Sequence, residues 1–208
     1  YFLDRRNELI DLTIRHMLLV IVSLLAATLV AIPLGLLLER APRGAEVVIR
    51  TIGLFQTIPS IALLAFMIPL LGIGVRPALV ALFLYSLFPI LRNTYTGICD
   101  ADPAAVDSAR SLGMTEGQIL KYIRFPLAIP VIMAGVRTAA VITVGTATLA
   151  AFIGAGGLGD PIVAGLALSD SRMILSGAIP AALLAFLADG ALGIVQRVVT
   201  PTGLKIAE

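Results

Sequence analysis

Side chains able to do covalent or metal chemistry are scarce in these 208 residues. There is one histidine, His16, and one cysteine, Cys99, so neither a histidine metal cluster nor an internal disulfide can be assembled. The lysines are Lys121 and Lys205, and neither follows a glycine-rich cradle. No G-x-x-x-x-G-K-[ST] run occurs, so ATP hydrolysis has no site in this chain. Two isolated charges, Arg137 and Asp189, stand inside apolar runs. One polar, patterned stretch remains: Asp107-Ser108-Ala109-Arg110-Ser111-Leu112-Gly113, nine residues, then Ile123-Arg124-Phe125-Pro126. Its chemistry is binding, and it offers a docking surface for another protein.

The elements that carry these groups are set by solvent. Hydrophobic residues make up 59% of the chain and charged residues 13%, with a mean hydropathy of +1.02. A soluble domain carries about a quarter charged residues, so much of this surface must face lipid. The expected fold is all-α, a single polytopic membrane domain over 1–208. Charge-poor windows place five spans at approximately 17–38, 51–71, 77–98, 127–152 and 173–197, with the polar segment 102–126 between the third and fourth. No ten-residue alternation suggests membrane strands. Pro59, Pro69, Pro89 and Pro130 are expected to kink or break their helices. Met17 to Leu38 is too long for a cleaved signal, and His16 before it is expected at the interface. The net charge of +2 forms no basic stripe, so nucleic acid is not an expected partner. Scattered carboxylates beside a single histidine leave no group set for a membrane enzyme.

Lys and Arg favour the cytoplasmic side. With segment 102–126 inside, ten of the 15 basic residues fall at or near that side, among them Arg40, Arg43, Arg50, Arg92 and Lys205. Arg5, Arg6, Arg15, Arg76 and Arg172 fall outside. The expected topology is N-terminus outside and C-terminus cytoplasmic, with the run of Arg5, Arg6 and Arg15 weighing against it.

Locally, Asp102 can cap a helix whose first turn takes Pro103, where the missing N–H had no intrahelical partner. Gly113 ends that helix as a residue tolerant of left-handed backbone. Thr115 then starts a second short helix through a capping box with Gln118. Pro126 is expected to close that helix and open the next span.

The spacing resembles the EAA motif of ABC importer permeases: Glu-Ala-Ala, three residues, Gly, nine residues, Ile-x-Leu-Pro. Ala109, Gly113, Ile123 and Pro126 match; Asp107 replaces Glu, Ser108 the first Ala and Phe125 the Leu. The resemblance implies a cytoplasmic coupling helix seated in a groove of an ABC ATPase subunit. Its contacts would come from Asp107, Ser108, Ala109, Arg110, Gly113, Met114, Glu116, Ile123 and Pro126, with small Ser108 and Ala109 allowing close approach. An ordinary amphipathic loop helix is the alternative. Further runs, Thr57-Ile58-Pro59-Ser60, Leu91 to Gly97, Phe152 to Asp160 and Gly177-Ala178-Ile179-Pro180-Ala181, are similar to permeases of osmoprotectant importers, which move glycine betaine, carnitine and choline. That resemblance implies a multi-pass permease of a bacterial or archaeal cytoplasmic membrane. It also implies a second permease chain, identical or similar, and an extracytoplasmic solute-binding protein or domain. ATP and Mg would be bound by the partner ATPase, with no cofactor in this chain. An importer of another small solute, such as an amino acid, is an alternative reading. An ion-coupled secondary transporter is another, and it would need midplane carboxylates and an inverted repeat. Asp189 alone supports it, and no repeat is evident.

Three features complete the expectations. Gly154-x-Gly156-x-x-Gly159 satisfies a dinucleotide fingerprint formally, but that fingerprint needs a strand before it and a helix after. Following a span, it is expected to be a tight outer turn or re-entrant segment leading to Asp160-Pro161. Asp160, Asp170 and Arg172 are then either contacts for the solute-binding protein, as the resemblance implies, or solvated loop residues. Arg137 and Asp189 fall at similar depth on the fourth and fifth spans and can neutralise each other; intramembrane charges default to function, and a structural pair is the favoured role. A quaternary ammonium cannot donate hydrogen bonds, so its path needs aromatic faces or carboxylates. Phe55, Tyr85, Phe88 and Tyr95 are the path candidates, with Thr57, Pro59 and Asn93 beside them; packing is the alternative role for each aromatic.

Overall fold

The computed structural model describes residues 5–201; Lys205, counted above on the inner side, lies outside them. The described residues form helices α1 (Arg6–Leu38), α2 (Pro42–Thr57), α3 (Ser60–Leu71), α4 (Val75–Cys99), α5 (Pro103–Ser111) and α6 (Glu116–Ile119). A π turn (Leu120–Arg124) leads into α7 (Phe125–Ala147), and a 3₁₀ turn (Leu149–Ile153) precedes α8 (Gly159–Leu168) and α9 (Ser171–Val199). Four helical stretches are long and apolar enough to cross a membrane: α1, α4, Glu116–Ala147 and α9. A fifth crossing requires α2 and α3 together, and these are bent by 99°.

The break falls at Pro59, where a kink or break was expected, and bends the span expected over 51–71. Ile58 and Pro59 both hold extended backbone, with ψ of 128° and 133°, because a proline disfavours helical geometry in the residue before it. The helix before the break starts at Pro42, nine residues earlier than expected. α3 alone, 12 residues long, reaches only about 18 Å, short of a hydrocarbon core of about 30 Å. The polar groups at the break are satisfied within the protein: Tyr85 Oη donates to the Ile58 carbonyl, and Gln56 Nε2 donates to the Tyr85 carbonyl at 2.9 Å.

The junction at Pro126 is a correction. The helix does not close there; from Glu116 to Ala147 it runs on as one 32-residue stretch. Within the π turn Phe125 N–H donates to Leu120 O, five residues back. This shifts the ladder by one residue just where Pro126 lacks a donor. At its far end α7 stops at Ala147, short of the expected 152, because the chain tightens into the 3₁₀ turn and reverses at Gly154 with φ of 75°. Pro69, Pro89 and Pro130 lie inside uninterrupted helices.

α4 occupies the centre, packed by α1 and α7 and flanked by α2 and α3. Its buried face runs from Pro77 to Ile98. Helices in lipid gain little from burying apolar surface, so close approach of backbones must hold them. Gly97 and Gly135 permit it: a Cβ on Gly135 would lie 2.7 Å from the Pro89 carbonyl oxygen and 2.7 Å from Asn93 Cβ. A buried link between Ser86 Oγ and Thr143 Oγ1, 2.7 Å long, adds a polar tie between α4 and α7.

Gly135→Val should therefore force α4 and α7 apart and destabilise the bundle by about 1–3 kcal/mol. Thermal unfolding in detergent is the measurement; an unchanged midpoint would show that the crossing can absorb the added methyls.

Candidate functional site

The polar segment folds as a small unit with its own core. Asp102 Oδ1 accepts from Ala104 N at 3.0 Å, capping α5. Gly113 takes φ of 82° at the corner, and Thr115 caps α6 with a reciprocal Thr115–Gln118 box. Val106, Ala109 and Ile119 are buried together, with Met114 and Ile123 packed on them. Arg110 spans the corner, its Nη1 3.2 Å from Asp107 Oδ1 and its Nη2 3.0 Å from Glu116 Oε1. Ala109 is only 3% exposed, so its small size serves packing against Ile119 rather than a partner's approach. Ser108 stays exposed, its hydroxyl donating to Ala104 O at 2.7 Å.

The segment presents one apolar side chain the motif pattern passed over. Leu112, at the corner between Ser111 and Gly113, is 84% exposed. Tyr122, on the π turn, is also exposed. An exposed leucine on a polar knuckle is the signal to look for, since it has no role in the segment's own core. The unit is tied to the bundle by an ion pair between Arg124 and Glu39, both largely buried, which joins the π turn to the end of α1.

The two isolated charges meet. Arg137 Nε and Nη2 donate to Asp189 Oδ1 and Oδ2, each at 2.9 Å, a bidentate pair. Nη1 donates to Gln196 Oε1 at 3.0 Å, and Gln196 Nε2 donates to the Pro130 carbonyl at 3.3 Å. Gln196 was not singled out by sequence; its place seven residues after Asp189, two turns along the same face, was the available signal. The pair opens on a cleft of about 380 Å³ lined by Ala134, Thr138, Val141 and Ile142.

None of the seven expected path residues lines that cleft. Phe55 packs on the core of Leu63, Leu64, Leu82 and Tyr85, and Phe88 and Tyr95 pack on that of Ile49, Ile90 and Leu91. Thr57 is exposed and donates to Leu54 O at 2.7 Å, Pro59 marks the break, and Asn93 Nδ2 donates to Pro89 O at 2.8 Å. His16 corrects the interfacial expectation: it is fully buried, with Nε2 3.1 Å from Val144 O and its other face against Gly157. The glycine run is a turn, with Gly154, Gly156 and Gly157 at positive φ. Among the described residues no strand precedes it, so the dinucleotide context is missing. Arg15 and Asp160 flank Gly156; burial pushes the Asp160 carboxyl above its ordinary range, with the Arg15 guanidinium opposing. Asp170 Oδ1 caps α9 at Arg172 N, 2.9 Å away, and Arg172 is exposed.

Residues 27–201 match a family described as binding-protein-dependent transport system inner membrane component. The choline transport system permease protein OpuBB of Bacillus subtilis (strain 168) is 46% identical over 96% of this chain and 92% of its own length. The glycine betaine/carnitine/choline transport system permease protein OpuCB of the same organism is 47% identical over the same shares. An inward-facing structure of the MetNI methionine ABC transporter superposes with a TM-score of 0.81 at 22% identity, over 93% of this chain and 96% of its own. That last likeness concerns fold alone.

Neutralising either Arg137 or Asp189 singly leaves an unpaired charge among apolar helices, so each variant should lose assembled protein. Exchanging the two charges, Arg137→Asp with Asp189→Arg, should restore it. Yield of monodisperse protein reads this; a double variant as poor as the singles would refute the pairing as the cause.

Proposed function

This chain belongs to the family of binding-protein-dependent transport system inner membrane components, and from that premise we propose that it forms the path for quaternary ammonium compatible solutes in an ATP-driven importer. The observation that carries the solute class is near full-length similarity, at 46% and 47% identity, to two permeases named for choline and for glycine betaine, carnitine and choline. The solute is captured outside by a binding protein or domain, so part of the selectivity lies off this chain. Two permease chains, identical or alike, enclose the path, because the four or five spans of one chain enclose too little for a full pathway.

The engine is a separate ATPase subunit that binds ATP and Mg. The segment from Asp102 to Pro126 is its docking site, on the cytoplasmic side, with the N-terminus outside. The geometry supports that reading in two ways. The knuckle is stiff, held by its own core, two caps and the Arg110 ion pairs. Its corner also offers Leu112, an exposed apolar side chain that a protein groove can cover. Uptake into vesicles that requires ATP and the ATPase subunit, and survives collapse of ion gradients, supports the reading. Uptake without ATP that fails when the gradient collapses sinks it in favour of ion coupling.

Gly113→Pro tests the corner. Proline fixes φ near −65° and removes a donor, whereas Gly113 sits at φ 82° and donates to Arg110 O. The variant should insert into membranes normally yet lose uptake by about tenfold or more relative to ATP hydrolysed. Paired uptake and ATPase measurements on the reconstituted complex decide it; unchanged uptake per ATP would remove the corner from the coupling role.

A further inference from the structure

We propose that the cleft at Arg137 and Asp189 is a solute subsite that receives a zwitterion, the guanidinium facing its carboxylate and the aspartate its cation. This rests on the proposed osmoprotectant reading and assigns a place within it. Three observations carry it.

First, the pair is not sealed. The side chains of Arg137 and Asp189 are 34% and 41% exposed, in the middle of helices built for lipid. Charges so placed face water or protein rather than lipid tails. Second, the opening has volume. At about 380 Å³ it falls at the small end of ligand sites, roughly 300–1,000 Å³, and suits a compact solute. Apart from the pair and Thr138, its lining is Ala134, Val141 and Ile142, a surface that accepts methyl groups. Third, the pair has capacity to spare. A guanidinium carries five donors, and Asp189 and Gln196 engage three of them. Each Asp189 oxygen accepts one bond from Arg137 and retains a lone pair.

A zwitterion meets this arrangement without leaving either charge uncompensated, because it brings one charge of each sign to a pair that is itself neutral. A simple cation such as choline matches only the aspartate and competes with Arg137 for it. The cleft therefore favours solutes that carry a carboxylate, a selectivity the buried Tyr85 and the half-buried Phe88 cannot impose.

The test uses the complete reconstituted transporter with Cys99, the sole cysteine, replaced by serine and Thr138, exposed in the cleft, replaced by cysteine. A charged, membrane-impermeant thiol reagent should modify Thr138→Cys. Glycine betaine should slow that reaction, with half-protection at about tenfold lower concentration than choline requires. Adding Arg137→Gln with Asp189→Gln should abolish the difference between the two solutes. Should that variant fail to assemble, Ala134→Leu, which narrows the cleft and leaves the pair intact, should weaken protection by both. No labelling would mean that lipid or a second chain covers the face, and would overturn the proposal. So would labelling that betaine leaves unchanged in a complex that imports betaine. A parent complex that imports no quaternary ammonium solute at all would instead overturn the solute class from which the zwitterion was chosen.

Discussion

Helices surrounded by lipid have little to gain from hiding apolar side chains, since the tails around them are as apolar as leucine. What holds such a bundle is close backbone contact and a few polar ties, and this chain uses both around α4. The crossings at Gly97 and Gly135 bring α7 onto α4 at distances a methyl group would not allow. Gly35 does the same for α1 at Thr94. The Ser86–Thr143 link and the buried His16 bonded to Val144 O add short polar ties. α9 makes such an approach at Gly177, where a Cβ would meet the Leu158 carbonyl, yet only 6% of its most apolar window is buried. Against that thin contact, the bidentate Arg137–Asp189 pair and its Gln196 extension fix both the depth and the rotation of α9 on α7.

The polar segment answers the opposite problem. In water, nine- and four-residue helices do not persist alone, so α5 and α6 must be held by something other than their own ladders. Val106, Ala109 and Ile119 form a minimal core, and each helix is capped at its start. Arg110 closes the corner by reaching carboxylates on both sides of Gly113. The result is a rigid knuckle on a membrane bundle, fixed to α1 by the Glu39–Arg124 pair.

Local chemistry made much of this legible. The Asp102 and Thr115 caps, the Gly113 corner and the apolar windows are written in neighbouring residues, where spacing and residue type suffice. The meeting of Arg137 with Asp189 was legible too, because two charges in lipid have few ways to be satisfied. What eluded the sequence depends on distant partners. Glu39 and Arg124 are 85 residues apart, and nothing local marks them as a pair. His16 reads as interfacial beside Arg15, yet Gly157 and Val144 close over it. Pro126 reads as a helix stop, yet a π turn absorbs it, a register shift invisible in residue type. The aromatics were chosen for their chemistry toward a cation, but Tyr85 spends its hydroxyl on the carbonyl freed at Ile58. A break in one helix thus determined the role of a residue in another.

The continuity across Pro126 also ties the two sites together. Arg137 lies 13 residues beyond Arg124, about 20 Å along the axis, while the corner at Gly113 lies three residues before the stretch begins at Glu116. Arg124 is held to α1 by Glu39, and beyond it α7 packs along α4, α9 and α1. α7 cannot part from α9 here, because separating Arg137 from Asp189 would strand both charges. On its other side α7 is held to α4 by the close approach at Gly135 and the Ser86–Thr143 link. On the proposed coupling role, force applied at the corner reaches the charged cleft through the stretch from Glu116 to Ala147, with α7 and α9 moving as one.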